Sequence, residues 1–300
     1  MPRTGPVRSR PASDFIFDCL VDTVSLGTRR YLYRPTPSPG LAPAVVFLHG
    51  TGGVVEWVES ETHLAEFAAS AGFHLAVPAG LPPYPQRPVG FLSNPNRWND
   101  GSTTPADPHH STTDDVTFFD NVFADLVANR GADPQRLYLS GFSNGAGMAF
   151  RYAAEGRVPL AAITAVAGHC WINPTALTRP VPTLYLIGDR DPLVPVNGGE
   201  VRIPWGNRLV VRPPVSQSLA KWAIANGCES TPISRVVEHG IAISDYPSRA
   251  SGMELQSVVI PGLGHHWPGG EGQLNPRLGG PKASPISANE WMWRFFQRHT

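Results

Sequence analysis

The sequence predicts an α/β protein with a mostly parallel central sheet covered by helices on both faces. Short apolar runs, typical of strands buried on both faces, alternate along the chain with helical segments. Hydrophobic residues make up 41% of the 300 residues and charged residues 16%, which is enough apolar side chain for one large core. Folds of this class often reach this length as one domain, and no linker or internal repeat interrupts the chain. We therefore expect residues 14–300 to form a single domain.

The predicted elements follow the same alternation from one end to the other. Residues 1–13 are basic and Pro-rich, and we expect a disordered leader there. Two strand-like pieces lie within residues 14–34, and apolar runs then predict strands at 44–48, 73–78, 136–140, 161–167, 183–187 and 255–260. Apolar residues at helical spacing predict helices at 61–70, 114–129, 216–225 and 288–297, with one more directly after Ser143.

Three long loops are predicted, at 79–113, 192–214 and 262–287. Each follows a predicted strand. In parallel sheets such loops gather at the carboxyl edge, where ligands bind. Loops of this length are usually functional or disordered, so we expect the functional site among them.

Composition excludes several classes of partner. The formal net charge is zero, so bulk electrostatics favour neither nucleic acid nor an anionic membrane surface. No apolar run reaches the length of a transmembrane helix, and the N-terminus lacks the apolar stretch of a secretory signal. As written, the sequence predicts a cytoplasmic protein.

The segment around Ser143 is the most informative in the chain. The sequence Gly141-Phe142-Ser143-Asn144-Gly145 lies between a β-branched and aromatic strand and an Ala-rich helical run. A strand-to-helix turn this tight leaves no room for a Cβ at the flanking glycines, and it exposes the serine Oγ in front of helix amides. We interpret Ser143 as a catalytic nucleophile.

A serine hydroxyl needs a neighbouring base and an acid that orients the base. In folds with such an elbow, the acid follows the serine in the chain and a histidine follows the acid. Asp189 and Asp191 lie just after the strand at 183–187, and His265 and His266 lie just after the last strand. We favour Asp191, because Asp189 is close enough to the strand end to cap the turn. We favour His265 because Gly264 gives it room to face Ser143, but both alternatives stay open.

The tetrahedral intermediate of acyl transfer also needs two N–H donors for its oxyanion. The backbone of Asn144, at the start of the helix, is one candidate. The backbone of Thr51, in the glycine-rich turn after the strand at 44–48, is the other. A phosphate-binding loop is the alternative for this turn, but it lacks the Lys and Ser/Thr spacing of such loops.

Together these segments resemble a known family. The segments 48–52, 114–118, 141–148, 191–195 and 264–269, with Trp222 and the run 226–228, follow in order the pattern of polyhydroxybutyrate depolymerase-like esterases, which are close to feruloyl and acetylxylan esterases. The resemblance spans roughly residues 20–297. It implies an α/β-hydrolase fold without a large cap domain, a Ser143–Asp191–His265 triad, and no metal or dissociable cofactor. Relatives are commonly secreted.

One feature departs from the family pattern. In many relatives the cysteine that matches Cys228 forms a disulfide with a cysteine shortly before the last strand. Here the corresponding region, residues 246–252, contains no cysteine. The resemblance therefore does not extend to this disulfide.

The predicted substrates are small-molecule or polymeric esters of feruloyl or other aromatic, hydroxyalkanoate or polyester type. Trp98, in the loop 79–113, and Trp267, beside His265, are predicted as aromatic walls of the binding pocket. A serine peptidase of the same fold is the alternative enzyme. A non-catalytic ligand-binding protein is the alternative of another class, although such proteins typically lose a member of the triad.

Overall fold

The computed structural model describes residues 22–102, 113–175, 177, 179–248 and 253–300. The predicted leader at residues 1–13 lies outside these ranges. The strands are β1 (Asp22–Leu26), β2 (Arg29–Arg34), β3 (Ala42–Leu48), β4 (His74–Pro78), β5 (Ala132–Phe142), β6 (Ala162–Val166), β7 (Thr183–Gly188), β8 (Gly199–Ile203), β9 (Arg208–Arg212), β10 (Ile233–Val236), β11 (Ala242–Tyr246) and β12 (Leu255–Ile260). The α-helices are α1 (Val55–Thr62), α2 (Leu64–Ala71), α3 (Asp115–Asn129), α4 (Asn144–Glu155), α5 (Val215–Ala225), α6 (Pro276–Gly279) and α7 (Ala288–Phe296).

Ten strands form one sheet in the order β1-β2-β4-β3-β5-β6-β7-β12-β11-β10. The six strands from β4 to β12 are parallel to one another, and an antiparallel pair extends the sheet at each edge. This arrangement confirms the predicted class, a mostly parallel sheet with helices on both faces.

Alternate side chains of the central strands enter two cores on opposite faces of the sheet. On β3, Val46 and Leu48 belong to one core, and Val45 and Phe47 to the other. The first core also takes residues of α3, α4 and α5, and the second takes residues of α1, α2 and α7. Burial on both faces explains why the central strands are continuous apolar runs in the sequence.

Three predicted boundaries differ from the structure. The helix predicted at 61–70 is two helices, α1 and α2, separated at His63, whose φ of 52° ends α1 in the left-handed region. The loop predicted at 192–214 contains the hairpin β8–β9. The edge strands β10 and β11 were not predicted, because every residue of β10 is exposed and leaves no apolar run.

Cys170 and Cys228 are both buried free thiols. Cys228 lies opposite Ser248 in an isolated antiparallel bridge, at the position along the chain where the family pattern expects a second cysteine. The strand pairing at this place is therefore present although the covalent bond is absent.

Candidate active site

Ser143 lies between the end of β5 and the start of α4, in an unusual backbone conformation. Its φ of 57° and ψ of −116° are costly for a residue with a Cβ. The turn has no space to relax: a Cβ on Gly141 would lie 2.2 Å from the carbonyl oxygen of Gly145, and one on Gly145 would lie 2.2 Å from that of Leu48. The backbone N–H of Ser143 donates to Val166 on β6 (2.7 Å), which anchors the turn to the sheet. Both glycines are required by close backbone approach, as the sequence indicated.

The structure brings Ser143, His265 and Asp191 into one hydrogen-bonded chain. Ser143 Oγ lies 2.9 Å from His265 Nε2, and His265 Nδ1 lies 2.7 Å from Asp191 Oδ2. The other carboxylate oxygen of Asp191 accepts from the backbone N–H groups of Leu193 (2.8 Å) and Val194 (2.7 Å). Because a carboxylate only accepts, His265 carries its proton on Nδ1 and presents a free lone pair to Ser143. His265 and Asp191 are 3% and 4% exposed, so water does not compete for these bonds.

The two alternative residues have other partners. Asp189 Oδ1 accepts from the backbone N–H of Gly262 (2.7 Å) and caps the turn after β12. His266 Nε2 lies 3.1 Å from the carbonyl oxygen of Gly280, and burial lowers its pKa. Neither residue contacts Ser143 by a hydrogen bond.

Two backbone N–H groups that line the cavity at Ser143 have no acceptor in the described part of the chain. Asn144 is the first residue of α4, so its N–H has no intrahelical partner. Among the described residues, the N–H of Thr51 forms no hydrogen bond either. Thr51 and Asn144 line the same cavity as Ser143. The positive end of the α4 dipole points at this place as well, which favours a negative charge there.

His49 fixes the turn that carries Thr51. It is fully buried, its Nδ1 donates to the carbonyl oxygen of Gly50 (2.8 Å), and its Nε2 accepts from the N–H of Gly80 (3.0 Å). Burial, with a smaller contribution from the charge of Arg29, lowers the pKa of His49 to about 4. His49 is therefore a neutral structural residue near neutral pH.

The structure corrects the interpretation of Trp98 as a pocket wall. Its side chain is fully buried, and its indole N–H donates to the carbonyl oxygen of His49 (2.8 Å). Its backbone N–H donates to Asn144 Oδ1 (2.7 Å), and its carbonyl oxygen accepts from Asn144 Nδ2 (3.1 Å). Trp98 thus connects the turn of Thr51 to the start of α4, and so joins the two candidate oxyanion donors.

Trp267, which the sequence predicted as a second pocket wall, also lies in the core and lines neither cavity. It is 1% exposed, its indole N–H donates to Asn289 Oδ1 on α7 (2.9 Å), and its ring packs edge-on against Phe47 with ring centres 5.1 Å apart. Asn289 in turn donates to the carbonyl oxygen of Thr62. Trp267 therefore braces the segment that carries His265.

A cavity of about 400 Å³ opens on the His265 side of Ser143. Its walls are mainly apolar and come from α1, the elbow and the three predicted loops; they include Trp57, Phe91, Phe142, Leu193, Trp205 and Leu274. The Glu61 carboxylate, at the margin, accepts from the backbone N–H groups of Gly272 (3.1 Å) and Gln273 (2.8 Å). The aromatic walls predicted from sequence exist, but other residues form them.

A second cavity, of about 160 Å³, lies on the Asn144 side of Ser143. It is more polar than the large cavity, and its walls include Arg97, Asp100, Arg208, Arg212 and His169. Sequence reasoning missed this arginine cluster, because its members come from two separate loops.

Within the described ranges, no group of three or more His, Cys, Asp or Glu side chains is arranged to hold a metal ion. None of the described helices combines the length and apolarity that a membrane span requires.

A strained serine on a strand-to-helix turn, in a sheet of this order, defines an α/β hydrolase. The sequence profile of the Phospholipase/Carboxylesterase family matches residues 37–203, and the chain belongs to this family. It is a carboxylic ester hydrolase.

Individual relatives agree with this assignment and confirm the resemblance seen in the sequence. The chain is 29% identical over 302 residues to the protein named Putative esterase NocK from Nocardia uniformis subsp. tsuyamanensis, covering 95% of this chain and 84% of that protein. It is 27% identical over 234 residues to Feruloyl esterase B from Piromyces equi, covering 75% of this chain but only 39% of that longer protein. The fold is similar to that of acetyl xylan esterase from Aspergillus awamori, with a TM-score of 0.60, 15% identity and coverage of 92% and 98% of the two chains.

Proposed function

We propose that the chain is a serine esterase that acts through an acyl-enzyme formed on Ser143. The observation that carries the proposal is the hydrogen-bonded chain from Ser143 through His265 to Asp191. In the first step, His265 Nε2 takes the Ser143 proton while Oγ attacks the ester carbonyl carbon. Asp191 holds the imidazole in the required tautomer and stabilises the imidazolium.

The oxyanion that forms accepts hydrogen bonds from the backbone N–H groups of Thr51 and Asn144. His265 then gives its proton to the leaving alcohol oxygen, and the ester bond breaks. In the second half-reaction a water molecule takes the place of the alcohol. His265 removes a proton from this water while the water oxygen attacks the acyl carbonyl carbon. When the bond to Ser143 breaks, His265 returns the proton to Ser143 Oγ, and the acid is released.

The substrates we propose are esters of aromatic, hydroxyalkanoate or polyester type. Support comes from the large cavity, whose aromatic walls suit a flat ring or an extended apolar chain on one side of the ester bond. One relative is named Feruloyl esterase B, and a feruloyl ester carries a flat aromatic ring of the kind that such walls accept.

The test is ester hydrolysis by the wild type and by Ser143→Ala. We expect Ser143→Ala to fold and to lose at least about 10⁴-fold in kcat, because only binding and oxyanion stabilisation remain. Ser140→Ala is a matched control: Ser140 is fully buried on β5, the strand that leads into Ser143, lies outside both cavities and should retain activity. A Ser143→Ala variant that keeps a tenth of wild-type turnover would overturn the assignment.

A substrate screen distinguishes an esterase from a peptidase and from a non-catalytic binding protein. It compares methyl ferulate, p-nitrophenyl acetate, ethyl 3-hydroxybutyrate and bis(2-hydroxyethyl) terephthalate, and adds a peptide anilide. Cleavage of the anilide with no ester cleaved would favour the peptidase alternative. A folded wild type that binds these compounds and cleaves none would favour the non-catalytic alternative.

A further inference from the structure

The small cavity beside Ser143 has an unbalanced positive charge. Arg97, Arg208 and Arg212 contribute guanidinium groups to its walls, and Asp100 contributes the one carboxylate among the described residues that line it. Asp100 is 2% exposed and also accepts hydrogen bonds from the N–H and Oγ of Ser102. A chain with zero formal net charge thus concentrates cations at one side of its nucleophile.

Two of these arginines are available to a ligand. Within the described ranges, neither Arg208 nor Arg212 forms an ion pair. The Arg212 guanidinium lies over the ring of Trp171, 5.1 Å from its centre, so its position is fixed by stacking. Burial lowers the pKa of Arg212, and the charges of Asp100 and Asp191 act in the opposite direction. A half-buried cation without an ion pair gains from a bound anion.

His169 adds a buried polar group to the same wall. It is 2% exposed, and neither of its ring nitrogens has a hydrogen-bond partner in the described part of the protein. Its ring packs edge-on against Trp171, with centres 4.9 Å apart. Burial and the charge of Arg212 lower its pKa to about 4, so it is a neutral imidazole with one N–H near neutral pH. Buried polar groups are nearly always hydrogen-bonded, and an oxygen-rich ligand would satisfy this one.

The position of His265 decides which part of an ester enters the small cavity. The leaving oxygen must reach His265 Nε2 to receive its proton. His265 lines the large cavity and does not line the small one, so the alcohol part extends into the large cavity. The acyl part then extends past Asn144 into the small, cationic cavity.

We propose that the small cavity binds a free carboxylate on the acyl part of the substrate, so that the preferred substrates are half-esters of short dicarboxylic acids. This inference rests on the proposed function. Arg212 and Arg208 hold the carboxylate, and His169 offers a further N–H. Hydrolysis adds water across the ester bond and releases the alcohol and the dicarboxylic acid, without another reactant.

The experiment compares monobenzyl glutarate with benzyl glutaramate, a neutral substrate of the same length and shape, by the release of benzyl alcohol. We expect wild-type kcat/KM to be at least about tenfold higher for the anion, and the preference to weaken in 0.5 M NaCl. In Arg212→Gln the ratio of the two kcat/KM values should fall about tenfold. Equal kcat/KM values in the wild type, or a ratio unchanged by the substitution, would overturn the proposal.

Two further variants make the result interpretable. Arg202→Gln is the matched control: Arg202 is exposed on the neighbouring strand β8, donates to Asn207 Oδ1 (3.2 Å) and does not line the cavity, so the ratio should not change. Arg208→Gln removes a charge from an exposed position and serves if Arg212→Gln fails to fold. If the ratio of the two kcat/KM values falls as much in Arg202→Gln as in the cavity variants, the preference for the anion comes from long-range charge and not from a binding site.

A binding measurement separates this inference from the proposed function. Titration calorimetry with Ser143→Ala compares the same two esters without turnover. If the protein binds the anion preferentially but the wild type hydrolyses neither ester, the proposed function is refuted and the carboxylate site is supported. If the wild type hydrolyses both esters with no preference in rate or binding, the carboxylate site is refuted and the proposed function stands.

Discussion

The hydrogen bonds of Asp191 determine what an amide at this position would do. One carboxylate oxygen accepts from two backbone N–H groups, and the other accepts from His265 Nδ1. In Asp191→Asn the amide oxygen must stay with the backbone donors, because an NH₂ group there would face two N–H groups. The NH₂ group then faces His265 Nδ1 and donates to it. The imidazole proton therefore moves to Nε2, the nitrogen that must accept the proton of Ser143.

This tautomer cannot act as the base, so we expect a large effect on kcat. The same Asp→Asn substitution in the triad of serine proteases leaves the histidine in the wrong tautomer and lowers kcat by about 10⁴-fold, which corresponds to about 5 kcal/mol in activation free energy. Asp189→Asn is the matched control. Its oxygen accepts a single backbone N–H, from Gly262, and an amide oxygen can do the same, so kcat should stay within about threefold.

The assay is hydrolysis of p-nitrophenyl acetate at pH 8 by both variants, with thermal unfolding to show that each is folded. The reasoning would be refuted by an Asp191→Asn variant that keeps a tenth of wild-type kcat. A larger loss in Asp189→Asn than in Asp191→Asn would exchange the roles of the two carboxylates.

Two further predictions concern buried residues behind the site. Trp98→Phe keeps a ring but leaves the carbonyl oxygen of His49 without its donor, at a cost of about 1–3 kcal/mol in unfolding free energy. The kcat should also fall while KM changes little, and an unchanged kcat would contradict the positioning role of Trp98. Trp293→Phe is the control, because Trp293 is half-buried, packs against the rings of Phe73 and Tyr138 away from the site, and should affect stability alone. The second prediction follows from the pKa of His49, which is about 4 in the folded protein and 6.5 in the unfolded chain. Below about pH 6.5 the unfolded chain binds a proton at His49 that the folded protein does not bind. The free energy of unfolding is therefore highest above that pH and falls as the pH falls towards 4, by about 2 kcal/mol at pH 5. Urea unfolding of the wild type and His49→Gln at pH 7 and pH 5 measures this loss, and an equal pH dependence in the two proteins would show that His49 is not its source.

The centre of the fold could be predicted because its strands are buried on both faces. Strands such as β3 and β7 are then almost continuously apolar, which a single sequence shows directly. The edge strand β10 and the hairpin β8–β9 carry mainly exposed residues, so no continuous buried run like those of the central strands marks them. Their existence depends on hydrogen bonds to a neighbouring strand, which the local sequence does not encode.

The triad residues could be placed together because parallel strands share a carboxyl edge. The choice between Asp189 and Asp191 depends on the path of one turn. The sequence suggested that Asp189 caps its own turn after β7, whereas its carboxylate accepts from Gly262 in the turn after β12. The role of Trp98 could not be anticipated. A tryptophan in a long loop has the same sequence signature whether its ring faces a cavity or the core, and its partner Asn144 is 46 positions away.

The arginine cluster shows where composition is a poor guide to function. A net charge of zero correctly describes the field far from the molecule, which falls off within about 10 Å at ordinary salt. A substrate bound at Ser143 experiences only the nearest charges. In the small cavity these include Arg208 and Arg212, and no carboxylate of the described residues is paired to either. Because the second half-reaction holds the acyl group on Ser143, a carboxylate bound by these arginines would remain bound until deacylation. Anion recognition in this cavity would therefore act on both half-reactions, while the large cavity acts only until the alcohol leaves.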